Sequence, residues 1–132
     1  MDFNEVKVNA ELGEKGVWIN HDGTTSFKIA RLNNRNFQTK FNKLMQPYRR
    51  QFDAGKLSND KQVDIMCKAM AETVLLGWKG LTDGGEPVEY SVEKAYEYLS
   101  MEGADEFRDL ITAYAQDAET YREEYIETDV KN

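Results

Sequence analysis

The chain has 132 residues, 40% of them hydrophobic and 31% charged, with a formal net charge of −7. That length suits one domain with one core, and the composition excludes wholesale disorder. No apolar run approaches the roughly 20 residues that cross a bilayer, and the acidic balance disfavours indiscriminate attraction to DNA or anionic lipid.

Residues Met1 to Lys15 show no clear period and close on Gly13-Glu14-Lys15-Gly16, which reads as a flexible arm over 1–15. The apolar-rich segments Val17-Trp18-Ile19-Asn20-His21 and Thr24-Thr25-Ser26-Phe27-Lys28-Ile29 then flank Asp22-Gly23, a dipeptide suited to a type I′ turn, and predict a β-hairpin. A two-residue turn sets Trp18 opposite Phe27 and Gly16 opposite Ile29, so Trp18, Phe27 and Ile29 are expected on one buried face. Because an isolated hairpin is marginal in water, it must lie on helices or pair with a further strand.

From Asn34 the period becomes helical: Phe37, Phe41, Leu44, Met45, Tyr48 and Phe52 form one stripe, with Arg35, Lys43 and Arg50 on the other side. Pro47 removes an N–H donor within this helix, 34–54, and predicts a kink or break there, and Gly55 ends it. A second helix is expected from Ser58-Asn59-Asp60 to about Trp78, central in the fold, with Val63, Met66, Cys67, Met70, Val74 and Trp78 on one side. Thr82-Asp83-Gly84-Gly85-Glu86-Pro87 is a loop by composition. Ser91 caps a short helix to about Met101, stopped at Gly103, and a last helix runs from Ala104 to about Ile126 through Phe107, Leu110, Ile111, Tyr114, Ala118, Tyr121 and Tyr125. The expected fold is mainly α within the α+β class: an N-terminal β-hairpin followed by about four helices in one domain over 16–126, with a frayed end over 127–132.

Charge is divided along the chain. From Lys28 to Lys56 eight basic residues face Asp53 alone, a net of +7, whereas from Asp83 onward 15 acidic residues face four basic ones, a net of −11. Such a chain can pair its halves internally or with a copy of itself, so self-association is expected.

Convergent catalytic groups are scarce. His21 is the single histidine, and its place beside a turn suits a strand end better than a catalytic dyad. Cys67 sits on an apolar stripe as a small hydrophobe; alone, it forms no internal disulfide, and with one histidine it makes a zinc site implausible. Asp83-Gly84-Gly85-Glu86 lacks the alternating oxygen ligands of a calcium loop, and no glycine run leads into Lys-Ser or Lys-Thr as a phosphate loop requires. The acidic residues Glu119, Glu123, Glu124 and Glu127 read as a solvated helix face. The expectation is therefore a non-enzymatic binding protein with no cofactor and no metal. With Met1-Asp2-Phe3-Asn4-Glu5 unlike a signal peptide, it is expected in the cytoplasm. Two partner classes fit: another protein, or nucleic acid meeting the basic face of helix 34–54, with Phe37 or Tyr48 stacking on bases.

Several blocks occur in a telling order: Arg31-Leu32-Asn33-Asn34, Pro47-Tyr48-Arg49-Arg50, Ala71-Glu72-Thr73-Val74-Leu75-Leu76-Gly77-Trp78-Lys79-Gly80-Leu81-Thr82, Gly85-Glu86-Pro87-Val88-Glu89-Tyr90-Ser91 and Glu106-Phe107-Arg108-Asp109. Together, from Trp18 to Glu124, they resemble the tail assembly chaperones of long-tailed bacteriophages and prophages, the Trp-Lys-Gly-Leu-Thr block most strongly. Gly77 departs from the family's pattern, where a polar helix former is expected. The resemblance implies a mostly helical protein in the host bacterial cytoplasm that coats the tape measure protein before the tail tube polymerises, with the tail tube protein as a further contact. It also implies absence from the finished virion and, in some members, a longer form made by ribosomal frameshifting; nothing in this chain shows a frameshift. On this reading Trp78, Lys79 and Leu81, with the basic face of Arg35, Lys43 and Arg50, meet the client or a neighbouring copy.

Overall fold

Asp22 decides the geometry of the first hairpin. In the computed structural model, which describes residues 1–122, its carboxylate accepts from the Thr24 N–H at 3.0 Å and the Thr25 N–H at 2.7 Å, while His21 N–H closes the ladder on the Thr25 carbonyl. The loop therefore holds three residues rather than two. Strands β1 (Val17–Asn20) and β2 (Ser26–Ile29) pair antiparallel with Val17 opposite Ile29, Trp18 opposite Lys28 and Ile19 opposite Phe27. A shift of one residue turns every side chain to the other face. The expectation of Trp18 beside Phe27 and Ile29 is thus corrected: Ile19, Phe27 and Ile29 face the core and Trp18 faces outward.

The partner that an isolated hairpin needs comes from the same chain. Helix α4 (Asn59–Thr73) starts as expected on the Ser58 hydroxyl, which accepts from Lys61 N–H, but it ends at Thr73 rather than near Trp78. Beyond it, β3 (Leu75–Lys79) pairs antiparallel with β2, giving a sheet of order β1-β2-β3. Thr73 and Val74 are β-branched and Gly77 is a poor helix former, so local preference and sheet completion agree here. Leu76 is an extra residue in β3 at the register shift between Lys28 and Ile29, a bulge that sends its side chain over Gly16.

Helices α4 and α6 (Asp105–Gln116) pack on the inner face of this sheet, with α2 (Arg35–Met45) against α4 and α5 (Val92–Ser100) against α4 and α6. Asn34 caps α2, accepting from Phe37 N–H at 2.9 Å, and its buried amide also donates to the Thr73 carbonyl, tying the start of α2 to the end of α4. Pro47 lies in a single 3-10 turn, Gln46–Tyr48, that separates α2 from the short α3 (Arg49–Asp53). The central α4 buries Ile65, Cys67, Ala69, Met70 and Ala71, and its Cys67 thiol donates to the Leu99 carbonyl of α5. The glycine loop is itself a small hairpin, β4 (Thr82–Asp83) with β5 (Glu86–Pro87), turning on Gly84 and Gly85, both at positive φ as a type I′ turn demands.

Both ends differ from expectation. The stretch read as a loose arm contains a helix, α1 (Ala10–Lys15), capped by Asn9 and placed so that Gly13 accepts from Arg31 N–H and Asn9 N–H reaches the Tyr121 carbonyl. The last helix stops at Gln116: Asp117 leaves helical geometry and its carboxylate accepts from Glu119 N–H, opening a 3-10 turn, Ala118–Tyr121. The Tyr121 phenol is buried, donates to the Ile29 carbonyl at 3.0 Å, and is pushed well above its ordinary pKa by burial. The rest of the expected helix and the frayed end over 127–132 lie outside the described residues.

Candidate partner-binding surface

The two tryptophans lie in different surroundings: Trp78 is buried, as its place on the apolar stripe suggests, and Trp18 is not. Trp78 is only 6% exposed; its indole N–H donates to the Val88 carbonyl at 2.8 Å, and its ring meets Tyr90 edge-on at 5.0 Å and stacks on Tyr98 at 5.9 Å. It offers no surface to a partner. Trp18, by contrast, is 46% exposed on the outer face of the sheet.

That outer face is built from two rows across the strands, Trp18, Lys28 and Gly77 in one and Asn20, Ser26 and Lys79 in the next. The indole crosses the Lys28 strand and its edge comes to rest over Gly77, where a Cβ would stand 3.4 Å from the ring. A side chain larger than a methyl at residue 77 would intrude on the shelf where the indole lies. Lys79 completes the arrangement, its ammonium standing 4.1 Å from the indole centroid in a cation–π contact. The result is an aromatic plate flanked by Lys28 and Lys79, and tryptophan is a residue type enriched at protein interfaces.

The remaining predicted site residues do not join it. Arg35, Lys43 and Arg50 are exposed along α2 and α3, with Arg35 3.7 Å from Glu14 and the Pro47 turn dividing the first two from the third. Leu81 is half-buried in the loop after β3, where its carbonyl accepts from Val88 N–H. Of the six, only Lys79 sits on the plate, and the residue that sequence reasoning missed is Trp18. Two signals pointed to it: the capacity of Asp22 to hold one more loop residue, and the anomalous Gly77.

Aromatics beside the basic face of α2 are turned inward. Phe37 is buried and stacks on Phe41 at 5.6 Å, and the half-buried Tyr48 carries the Lys61 ammonium 4.6 Å from its centroid. His21 ends β1 as expected, its Nδ1 within 2.8 Å of the Tyr114 hydroxyl. Burial raises the Cys67 thiol above its ordinary pKa. Among the described residues no three His, Cys, Asp or Glu side chains converge as a metal site would need, and no helix is long and apolar enough to cross a membrane.

Comparison with known families decides the origin of the chain. A family profile described as "YdaY prophage protein" matches residues 32–132. The chain belongs to the YdaY prophage protein family. No curated protein and no solved structure matches it. The YdaY match begins after β2, so Gly77 and Lys79 fall within it while the hairpin that brings Trp18 to them precedes it.

Proposed function

We propose that this YdaY-family protein is a tail assembly chaperone, a non-enzymatic protein that acts in the host cytoplasm by binding the tape measure protein and leaves before the virion is complete. Its prophage family and the ordered sequence blocks from Arg31 to Asp109 support that class of role. The observation that carries the binding surface is Trp18, an indole kept half outside the protein on a glycine shelf. A chaperone of a long helical client must cover apolar side chains without aggregating and then let them go. A single aromatic plate bordered by Lys28 and Lys79, on a protein of net charge −7, meets both demands.

Base stacking is the weaker reading of this face. One side of the indole already carries the Lys79 ammonium, and Phe37 and Phe41, the aromatics of the helix that bears Arg35 and Lys43, pack into the core.

Co-expression with the tape measure protein of the same prophage, followed by pull-down, tests the role. Retention of the tape measure protein, with markedly weaker retention by Trp18→Ala, is expected. Failure to retain it, together with salt-sensitive binding to DNA or RNA, would move the assignment to nucleic acid.

A further inference from the structure

A second surface complementary to itself lies away from the Trp18 plate. At the junction of α4, α5 and α6 a groove of about 470 Å3 opens over Val63 and the 43%-exposed Met101, with Asp60 and Glu102 on its rim. The one cation in its wall, Arg108, is committed to its own chain: it donates to the Leu99 carbonyl at 2.6 Å and to Asp105 at 3.0 Å. Asp64 is likewise engaged, by Lys68 and the Tyr96 hydroxyl; burial pushes its carboxyl up, but these two partners hold it below the usual range. Asp60 and Glu102 make no ion pair among the described residues, so the rim is negative, and within a largely polar lining Val63 and Met101 supply the apolar contacts.

The opposite shape stands on α3. Phe52, 41% exposed, projects from a segment whose Arg49, Arg50 and Lys56 are all exposed and make no ion pair among the described residues. Phe52 does not line the groove of its own chain. Only the turn anchored by the buried Leu57 separates this basic knob from the first groove residues at the start of α4.

From this juxtaposition we infer that two copies of the chain pair about a two-fold axis, each placing Phe52 in the other's groove, with Arg49 and Arg50 against the partner's Asp60 and Glu102. Complementary patches side by side on one surface are what a two-fold interface requires, since each copy gives and receives the same contact. Patches at opposite ends of the molecule would instead favour a head-to-tail series. Phe52 supplies the apolar anchor, and the charges set register and make the pairing sensitive to salt. The inference is independent of the chaperone role and holds whichever client the Trp18 plate binds.

Sedimentation velocity of the full chain at low and high ionic strength tests it. A dimer at low salt that dissociates as salt rises is expected. Phe52→Ser weakens the dimer by about tenfold or more, the loss that follows removal of an aromatic anchor. Phe52 is exposed, so circular dichroism and melting of this variant should stay close to wild type. Arg50→Glu or Glu102→Lys alone weakens the dimer, and the double exchange restores it. A monomer under all conditions, an open series of larger species, or a dimer indifferent to Phe52→Ser and to the charge exchange would each overturn the assignment.

Discussion

The indole of Trp18 and the bare α-carbon of Gly77 fit together across two strands, with 3.4 Å between the ring and the place a Cβ would take. That distance is ordinary van der Waals contact, so Gly77→Ala is expected to fold normally and leave the ring nearly in place. Gly77→Val adds branches where the ring lies and should lift it from the sheet. Acrylamide quenching reads the difference: one of the two tryptophans is accessible in the wild type, and Gly77→Val should make that one more so while Trp78 stays protected.

Alanine at each tryptophan separates core from surface. Trp78→Ala removes a buried ring packed on Tyr90 and Tyr98 and should cost about 3–5 kcal/mol. Trp18→Ala should cost about 1 kcal/mol or less, as substitutions at exposed positions do. Urea titration of both variants checks the contrast, and equal losses would place the two rings in equivalent surroundings.

Among the glycines, Gly80 leaves the least room for a Cβ. It has φ +77°, and a Cβ there would lie 1.9 Å from the Thr24 carbonyl oxygen, a backbone atom that moves only with the hairpin loop. The left-handed conformation alone costs a substituted residue about 1–2 kcal/mol. Gly80→Ala should lose more than that, whereas Gly84→Ala, also at positive φ but in open space, should lose only the conformational part. Thermal melting of the pair tests the ranking.

Acid should loosen the hairpin loop. Hydrogen bonds from Thr25 N–H and Thr24 N–H hold the Asp22 carboxyl below the ordinary carboxylate range. As pH falls the unfolded chain therefore takes up this proton first. The contribution is complete above the unfolded value, about pH 4, and is lost as pH drops through the lower folded value. Asp22→Asn keeps an acceptor oxygen and cannot titrate, so its melting temperature should fall less steeply with acid than that of the wild type. Parallel curves would show that Asp22 carries no part of the pH dependence.

Helix positions were legible in the sequence because their signals are local. Asn34, Ser58 and Ser91 cap the helices they were expected to start, Gly103 follows the end of α5, and the stripe through Phe37 and Met45 faces the core. What was not legible depended on partners distant in sequence. The apolar period of α4 continues through Val74 and Trp78, yet Leu75 to Lys79 becomes a strand because β2 needs a neighbour on that side. The facing of Trp18 turned on a single loop residue held by Asp22, and period alone does not register it. Residues 1–15 lack periodicity, but Asn9 and Gly13 find partners in Tyr121 and Arg31, which no local pattern announces. The candidate site inherits these errors: Lys79 was named as a contact residue, but Trp18, the ring it covers, was placed on the buried face of the hairpin.

Isothermal titration of the purified protein with helical segments of the tape measure protein from the same prophage tests the account most directly. Wild-type protein should bind at least one segment, with Trp18→Ala weaker by about tenfold or more, as for an aromatic anchor at an interface. Absence of binding to every segment, or equal binding by wild type and Trp18→Ala, would contradict it.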